Sequence, residues 1–209
     1  MDIIIKPVNE SPFTLGDVVD LMHRSFEERM NQGLHFTCSS LTVEQFQLRT
    51  KNSIVLVAWN SATNVLLGTA TVTLRKDKRG VTYGYHEYLA ISPNAKRLGI
   101  GTKLLEERII IIIINAGGEY VMSDTAVGAE SSVRWHLKNG FKIIALRSFP
   151  STNYYSYIFR KQLVHSKLWD SCLYTSLRFR LSSIIVKSLY NENGSNTKLG
   201  NLVYRILKK

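Results

Sequence analysis

The segment from Tyr85 to Gly101, YHEYLAISPNAKRLGIG, constrains the fold more than any other stretch of the chain. Residues up to Ile91 alternate in polarity as a strand does, and Pro93 ends that strand because proline cannot donate a ladder hydrogen bond. Gly99 and Gly101 follow at the head of a predicted helix. Glycine lets the main chain approach a ligand closely, and the first N–H groups of a helix lack partners. The order strand, basic glycine loop, helix therefore predicts a phosphate-binding site.

Two common phosphate-binding motifs do not fit this loop. A P-loop carries Gly-Lys-Ser/Thr after an earlier glycine, whereas here Thr102 precedes Lys103 and no glycine lies five residues before Gly99. A dinucleotide-binding fingerprint requires a third glycine, and the chain has Leu104 at that position. Spacing alone therefore removes both motifs.

The loop resembles the pyrophosphate loop of the GNAT superfamily, the acyl-CoA-dependent N-acyltransferases. That loop has the pattern Gln/Arg-x-x-Gly-x-Gly/Ala after a strand, and Lys96-Arg97-Leu98-Gly99-Ile100-Gly101 matches it, with Lys96 in place of Gln or Arg. Lysine keeps a hydrogen-bond donor but lacks the planar fork of arginine. The resemblance covers roughly residues 2 to 160. It implies a mixed α/β fold in which a central, mostly antiparallel sheet is flanked by helices.

The resemblance also implies a reaction and the residues that bind its co-substrate. An acetyl or short acyl group passes from acyl-CoA to a primary amine by direct attack in a ternary complex, with acetyl-CoA as the expected donor and no metal. The main chain of Leu89, Ala90 and Ile91 bonds the pantetheine and the acyl carbonyl. The pyrophosphate is wrapped by Arg97, Leu98, Gly99, Ile100, Gly101 and Thr102, and Lys96 and Ser132 complete the expected CoA contacts.

Two carboxylates are candidates for the base that deprotonates the amine. An alkyl ammonium has a pKa of about 10, so at neutral pH its proton must be removed, directly or through water. Glu87 lies two residues before Leu89 on the same strand, and Asp124 ends the next strand. The resemblance implies that either carboxylate, or a water that Glu87 holds, acts as the base. An exposed or ion-paired strand residue is the alternative interpretation of each.

The segment that supplies the family's proton donor to the departing thiolate differs in this chain. In the family a tyrosine in the segment Asn-x-x-Ala-x-x-Phe-Tyr-x-x-x-Gly-Phe has this role, and His136 takes its place in the segment from Ala129 to Phe141. Histidine titrates near neutral pH, so it retains acid catalysis in principle. A histidine packed beneath CoA is the alternative, as are donation by Tyr154, Tyr155 or Tyr157 and departure of the thiolate without an acid.

The remaining pattern predicts the order of a mixed α/β domain. Strands are predicted at residues 2–6, 53–60, 65–74, 82–91, 119–124, 141–147 and 154–160, and helices at 14–30, 42–50, 100–115 and 129–139. The six isoleucines from Ile109 to Ile114 suit a buried strand by propensity. We predict helix there, because the glycine loop requires a helix after it, and we expect burial against the sheet because the run is apolar on all sides. The loop at 31–40 lies where the family forms its acceptor pocket, and it carries His35, Phe36 and Cys38; a packed or solvated loop is the alternative.

The domain at residues 1–160 is followed by an extension at 161–209. This extension holds nine Lys and Arg against Asp170 and Glu192, a net charge of +7 out of +11 for the chain. Apolar residues recur about every fourth position with basic residues between them, which predicts one or two basic amphipathic helices. Asn191 to Asn196 is a break, and a last short element is expected from Leu199 to Lys209. We expect the apolar face to dock on its own domain or across a homodimer. Contact with anionic lipid is the second choice, and nucleic acid is not expected.

Composition sets the remaining expectations. Cys38 and Cys172 are the only cysteines, and they lack the spacing of metal ligands. Together with an N-terminus that has no basic-then-apolar leader, this favours a cytoplasmic setting. The longest apolar run is far shorter than the roughly 18 residues that span a bilayer. Two other functions stay open: a non-catalytic, regulatory acyl-CoA-binding protein, and an acyltransferase that docks on a membrane through its basic tail.

Overall fold

The structure is a computed structural model that describes residues 2–207. Its contacts divide the chain into two compact units. The first contains the residues up to Gln32 together with Phe36–Met122, and the second contains Gly33–His35 and the residues from Ser123 onward. Because this division falls within one strand, the boundary expected near residue 160 stays a prediction.

The first unit contains most of the predicted elements, with ends shifted by a residue or two. They are β1 (Ile3–Pro7), α1 (Leu15–Asn31), α2 (Val43–Arg49), β2 (Ile54–Asn60), β3 (Val65–Lys76), β4 (Thr82–Ile91), α3 (Ile100–Leu104), α4 (Ile110–Asn115) and the start of β5 (Tyr120–Ala126). Short 3-10 turns lie at Val8–Glu10, Thr37–Ser39 and Pro93–Ala95. Strands β1 to β4 pair in sequence order and antiparallel, and β5 pairs with β4 in parallel at Gly84↔Val121 and Tyr85↔Met122.

The helices predicted at 14–30 and 42–50 both begin with a capping box. Thr14 Oγ1 accepts from the backbone N–H of Asp17, whose carboxylate accepts from the backbone N–H of Thr14 in return. Thr42 and Gln45 make the same reciprocal pair at the start of α2. Each box satisfies two N–H groups that otherwise lack acceptors, which fixes the helix starts directly after these threonines.

The isoleucine run is helical, as the glycine loop predicted. Helices α3 and α4 are joined by a π-helical turn at Leu105–Ile109, so the helical conformation continues from residue 100 to 115. One side of the run is buried against the sheet, as expected, with Ile109 and Ile113 fully buried, while Ile111 and Ile114 are exposed. Ile113 fits against the sheet because Gly84 has no side chain: a Cβ there would lie 2.2 Å from Cδ1 of Ile113.

The second unit contains the rest of β5, α5 (Glu130–Lys138), β6 (Lys142–Ser148), β7 (Tyr155–Gln162), α6 (Lys167–Asp170), α7 (Cys172–Leu189) and α8 (Lys198–Leu207). Its strands lie in the order β5-β7-β6, and β6 and β7 are antiparallel, with Ile143 opposite Phe159. With strands flanked by helices in both units, the predicted mixed α/β fold is confirmed.

The extension is helical, as predicted, but its apolar face is not covered by its own domain, and docking of that face across a homodimer stays a prediction. Helix α7 packs on β6, where the Leu146 N–H donates to Ser182 Oγ, and Phe179 meets Tyr157 of β7. Leu177 and Leu181 of the apolar face are more than half exposed. The last predicted element is α8; Lys208 and Lys209 lie outside the described residues. No helix within residues 2–207 is long and apolar enough to cross a membrane.

Candidate active site

Strand β4 bulges within the segment expected to hold the pantetheine. Thr69 is opposite Ala90 and Thr71 is opposite Glu87, so two residues of β4 lie across from the single residue between these threonines. Tyr88, in the bulge, has a φ of +53°. A left-handed conformation costs a residue with a Cβ roughly 1–2 kcal/mol, and such strain is found most often at functional sites.

Packing holds Tyr88 in this conformation. Its ring meets Phe46 of α2 edge to face at 5.4 Å between centroids, and Phe46 is fully buried. Burial also raises the pKa of the Tyr88 hydroxyl. Tyrosine has no preference for positive φ, so no sequence signal indicated a bulge at this position.

The bulge affects the main chain that the resemblance assigns to pantetheine. On one side, Ala90 and Ile91 pair with Thr69 and Gly68 of β3. Inside the first unit, the residues of β4 that pair with β5 are Gly84 and Tyr85. Leu89 to Ile91 follow these paired residues along β4. Packing of the Leu89 and Ile91 side chains is compatible with this role, since only their main chain is needed.

The main chain of the glycine loop has the conformation of an anion-binding site at a helix N-terminus. After the 3-10 turn at Pro93–Ala95, Arg97 has a φ of +68° and Gly99 a φ of +77°. Helix α3 begins at Ile100, and its first turn closes with the Lys103 N–H donating to the Gly99 carbonyl at 3.0 Å. The N–H groups of that turn precede the first intrahelical bond. A Cβ built on Gly99 would meet no atom within 4 Å, so the main chain borders open space there.

Three cations surround the loop, and two of them form ion pairs. Lys96 Nζ donates to Glu28 of α1 at 2.7 Å, and this bond lowers the pKa of the Glu28 carboxyl. Lys103 Nζ lies 3.7 Å from Glu107 one helical turn away. Within residues 2–207 no ion pair involves Arg97. Backbone N–H groups, open space at Gly99 and adjacent cations fit a pyrophosphate.

Glu87 lies beside the bulge with its carboxylate already paired. Arg75 of β3 donates to Glu87 Oε2 at 3.0 Å, and the guanidinium also lies over the Tyr85 ring at 4.2 Å. The Glu87 side chain is 32% exposed. The pairing with Arg75 matches the ion-paired alternative, and the Glu87 carboxylate is still in contact with solvent. The catalytic role of Glu87 stays a prediction.

His136 lies in the second unit, in an environment unlike that of an acid catalyst. It is 3% exposed and stacks on Phe159 at 4.3 Å between centroids. Nδ1 is 2.8 Å from the Ser132 carbonyl, which can only accept, so Nδ1 carries the proton. Nε2 then accepts from the Ser123 hydroxyl at 3.0 Å. Burial lowers the pKa of His136 to about 4, so the ring is neutral at pH 7.

The other predicted residues of the second unit are placed as follows. Asp124 is half-buried on β5 between Ser123 and Thr125, both of which are buried. Ser132 lies on α5 and offers its carbonyl to His136. Among the alternative proton donors, the Tyr155 hydroxyl donates to the Tyr190 carbonyl at 3.0 Å. Roles for these residues stay predictions.

Two of the three side chains singled out in the loop at 31–40 are packed, which agrees with the alternative interpretation for those two. Phe36 is buried against Phe26 at 5.0 Å between centroids, and Cys38 is buried as well. In the second unit, the His35 N–H donates to Asn153 Oδ1 at 2.9 Å. Of the three expected acceptor-pocket residues, only His35 is exposed. No group of three or more His, Cys, Asp or Glu within residues 2–207 is placed to hold a metal ion.

Comparison with known proteins agrees with this geometry. A family model described as the acetyltransferase (GNAT) family matches residues 17–141. A GNAT-family acetyltransferase from Streptococcus pneumoniae is 18% identical with a TM-score of 0.59, over 78% of this chain and 100% of that one. PaiA N-acetyltransferase from Thermoplasma acidophilum, in complex with coenzyme A, is 17% identical with a TM-score of 0.60, over 78% and 99%. No curated protein matches the chain. At these identities the structural similarities establish the fold alone.

Proposed function

Because the chain belongs to the GNAT acetyltransferase family, we propose that it transfers an acetyl or short acyl group from acyl-CoA to a primary amine by direct attack in a ternary complex. The family and fold make the chain an acyltransferase enzyme that uses acyl-CoA in general. The observation that carries the finer proposal is the glycine loop, where left-handed Arg97 and Gly99 lead into a helix directly after a bulged strand.

The loop and β4 bind the co-substrate in this proposal. The main chain around Gly99 and the first turn of α3 hold the pyrophosphate, and Arg97 supplies a cation for it. The main chain of Leu89 to Ile91, beyond the β4–β5 register, bonds the pantetheine and polarises the acyl carbonyl. When bound, acetyl-CoA supplies the thioester that the amine attacks.

Glu87 is the proposed base. Its carboxylate is held beside the bulge by Arg75 and is in contact with solvent, so it reaches an amine directly or through one water. Asp124 stays the second candidate. His136 has no role as an acid in the proposal, because its Nδ1 proton is bound by a carbonyl and its ring is buried. A thiolate with a pKa like that of cysteine, about 8.5, leaves without a protein acid and takes its proton from water.

A second candidate is an acyl-CoA-binding protein without turnover, because the segment from Ala129 to Phe141 lacks the family's tyrosine and asparagine. Two measurements separate the candidates. Isothermal titration with acetyl-CoA tests binding, and thiol release over a panel of amines tests transfer. Binding with release supports the enzyme; binding without release from any amine supports the second candidate. Failure to bind any acyl-CoA overturns both.

A matched pair of glycine variants tests the loop. Gly99→Val is expected to raise the Kd for CoA at least tenfold, about 1.4 kcal/mol, because the side chain fills the space that borders the main chain. Gly80→Val is the control, since Gly80 has nearly the same φ, +81°, and equally open space, but lies in the β3–β4 turn. Both variants bear the same backbone strain. If Gly99→Val binds CoA as tightly as Gly80→Val does, the loop assignment is wrong.

A further inference from the structure

Helix α7 turns its more polar side toward the sheet of its unit. Thr175 is buried, Phe179 meets Tyr157 of β7 at 5.8 Å between ring centroids, and Ser182 Oγ accepts from the Leu146 N–H at 3.0 Å. These residues recur at intervals of three and four, so they form one face. Two of these three side chains carry hydroxyl groups, and the half-buried Val186 and Leu189 continue the same face, so the covered face of α7 is mixed in polarity.

The opposite face of α7 is apolar and exposed. At 100° per residue it contains five large aliphatic side chains, each at least 53% exposed: Leu173, Leu177, Leu181, Ile184 and Ile185. Helix α8 repeats this arrangement on a smaller scale, with Leu199, Leu202 and Ile206 all about half exposed or more. Clustered exposed apolar residues mark a surface that meets a partner or a membrane.

Cations border the apolar face of α7 on both sides. Helical spacing places Arg178 along one edge and Arg180 and Lys187 along the other, and all three are exposed. Helix α7 contains no Asp or Glu, and α8 adds Lys198 and Arg205. An apolar face with basic edges is the arrangement of helices that lie in the interface of a bilayer, with aliphatic side chains among acyl chains and cations at the headgroups.

Charge decides between a second copy and a lipid surface as the occupant. Helices α7 and α8 together hold five Lys and Arg and no Asp or Glu, so pairing this surface with itself would bring like charges together. An anionic leaflet attracts each Lys or Arg near its surface. We propose that the outer face of α7, together with α8, binds the surface of an anionic membrane. This proposal is independent of the proposed reaction.

The apolar contribution is tested by vesicle sedimentation with the full chain. Vesicles of phosphatidylcholine with 30% phosphatidylserine are compared with phosphatidylcholine alone. Leu177→Glu is expected to weaken binding to the anionic vesicles at least tenfold. It removes a leucine that is buried among acyl chains in the membrane-bound state and adds a negative charge that the anionic headgroups repel. Leu48→Glu is the matched control, since Leu48 is 75% exposed on α2 in the first unit; it is expected to bind as wild type does.

The basic edge is tested in the same assay. Arg180→Gln combined with Lys187→Gln is expected to lower the partition coefficient about thirtyfold, at about fivefold for each cation lost. The control is Lys76→Gln combined with Lys78→Gln, which removes the same charge from the exposed end of β3 and the turn that follows it in the first unit. Binding is also expected to fall as salt rises from 50 to 300 mM.

Three results would overturn the proposal. The first is equal binding of the wild type to neutral and anionic vesicles, and the second is an equal loss of binding in the α7 variants and their controls. The third is a wild-type protein that does not bind vesicles but forms a dimer in analytical ultracentrifugation, with Leu177→Glu dissociating that dimer. Circular dichroism and CoA titration of every variant confirm that each is folded.

Discussion

Acid is expected to destabilise this protein through His136. The pKa of this buried ring is lowered from 6.5 to about 4, so the native state resists protonation while the unfolded chain accepts a proton. The stability from neutral His136 is therefore complete above pH 6.5 and is lost as the pH falls from 6.5 toward 4. At 1.36 kcal/mol per unit, the full loss is about 3.4 kcal/mol, of which about 2 kcal/mol is lost between pH 8 and pH 5.

The assay is urea unfolding of wild type and His136→Phe at both pH values. Phenylalanine keeps the stacking on Phe159 but leaves the Ser123 hydroxyl without its acceptor, so the variant is expected to be less stable at pH 8. Its free energy of unfolding should nevertheless fall by about 2 kcal/mol less than that of wild type between pH 8 and pH 5. The control, His35→Gln, alters an exposed histidine and should keep the wild-type pH dependence.

Two results would refute this reasoning. One is equal pH dependence in wild type and His136→Phe. The other is an NMR titration in which the His136 ring protonates near 6.5, which would mean that the ring is accessible to water. In that case acid catalysis by His136 regains support, and the alkaline limb of the rate profile should change in His136→Phe.

Three further outcomes are expected. Glu87→Gln should lower kcat at least tenfold and remove the acidic limb of the rate profile without changing the Kd for CoA; full activity at every pH would transfer the role of base to Asp124 or solvent. Gly84→Ala should lower the free energy of unfolding by about 2 kcal/mol, because its Cβ overlaps buried Ile113, and wild-type stability in urea would contradict this packing. Thr14→Ala should cost about 1 kcal/mol through loss of the α1 cap, also measured in urea.

The glycine loop was predictable because its constraints are local. A proline that ends a strand, a glycine that tolerates positive φ and a helix start each depend on neighbours in the chain. The helix through the isoleucine run followed from the loop even though residue propensity opposed it. The capping boxes at Thr14 and Thr42 were likewise encoded within four residues.

The features that modify the site were not local. Tyr88 adopts positive φ because Phe46, 42 positions earlier in the chain, packs against its ring. Glu87 is paired because the register of β3 brings Arg75 beside it, and Lys96 is paired because α1 presents Glu28. His136 matched a family position in the sequence, but its hydrogen bond to Ser123 depends on β5 and its stacking on Phe159 depends on β7.

The sequence by itself determined the order of elements, the loop and the basic, periodic character of the extension. Only the tertiary structure decided which side of each element is covered. Helical spacing specifies which residues share a face, but a face is buried only if another element reaches it, and β6 reaches the side of α7 that carries Thr175 and Ser182. The apolar side was therefore left exposed, because burial depends on contacts between residues far apart in the chain and not on periodicity.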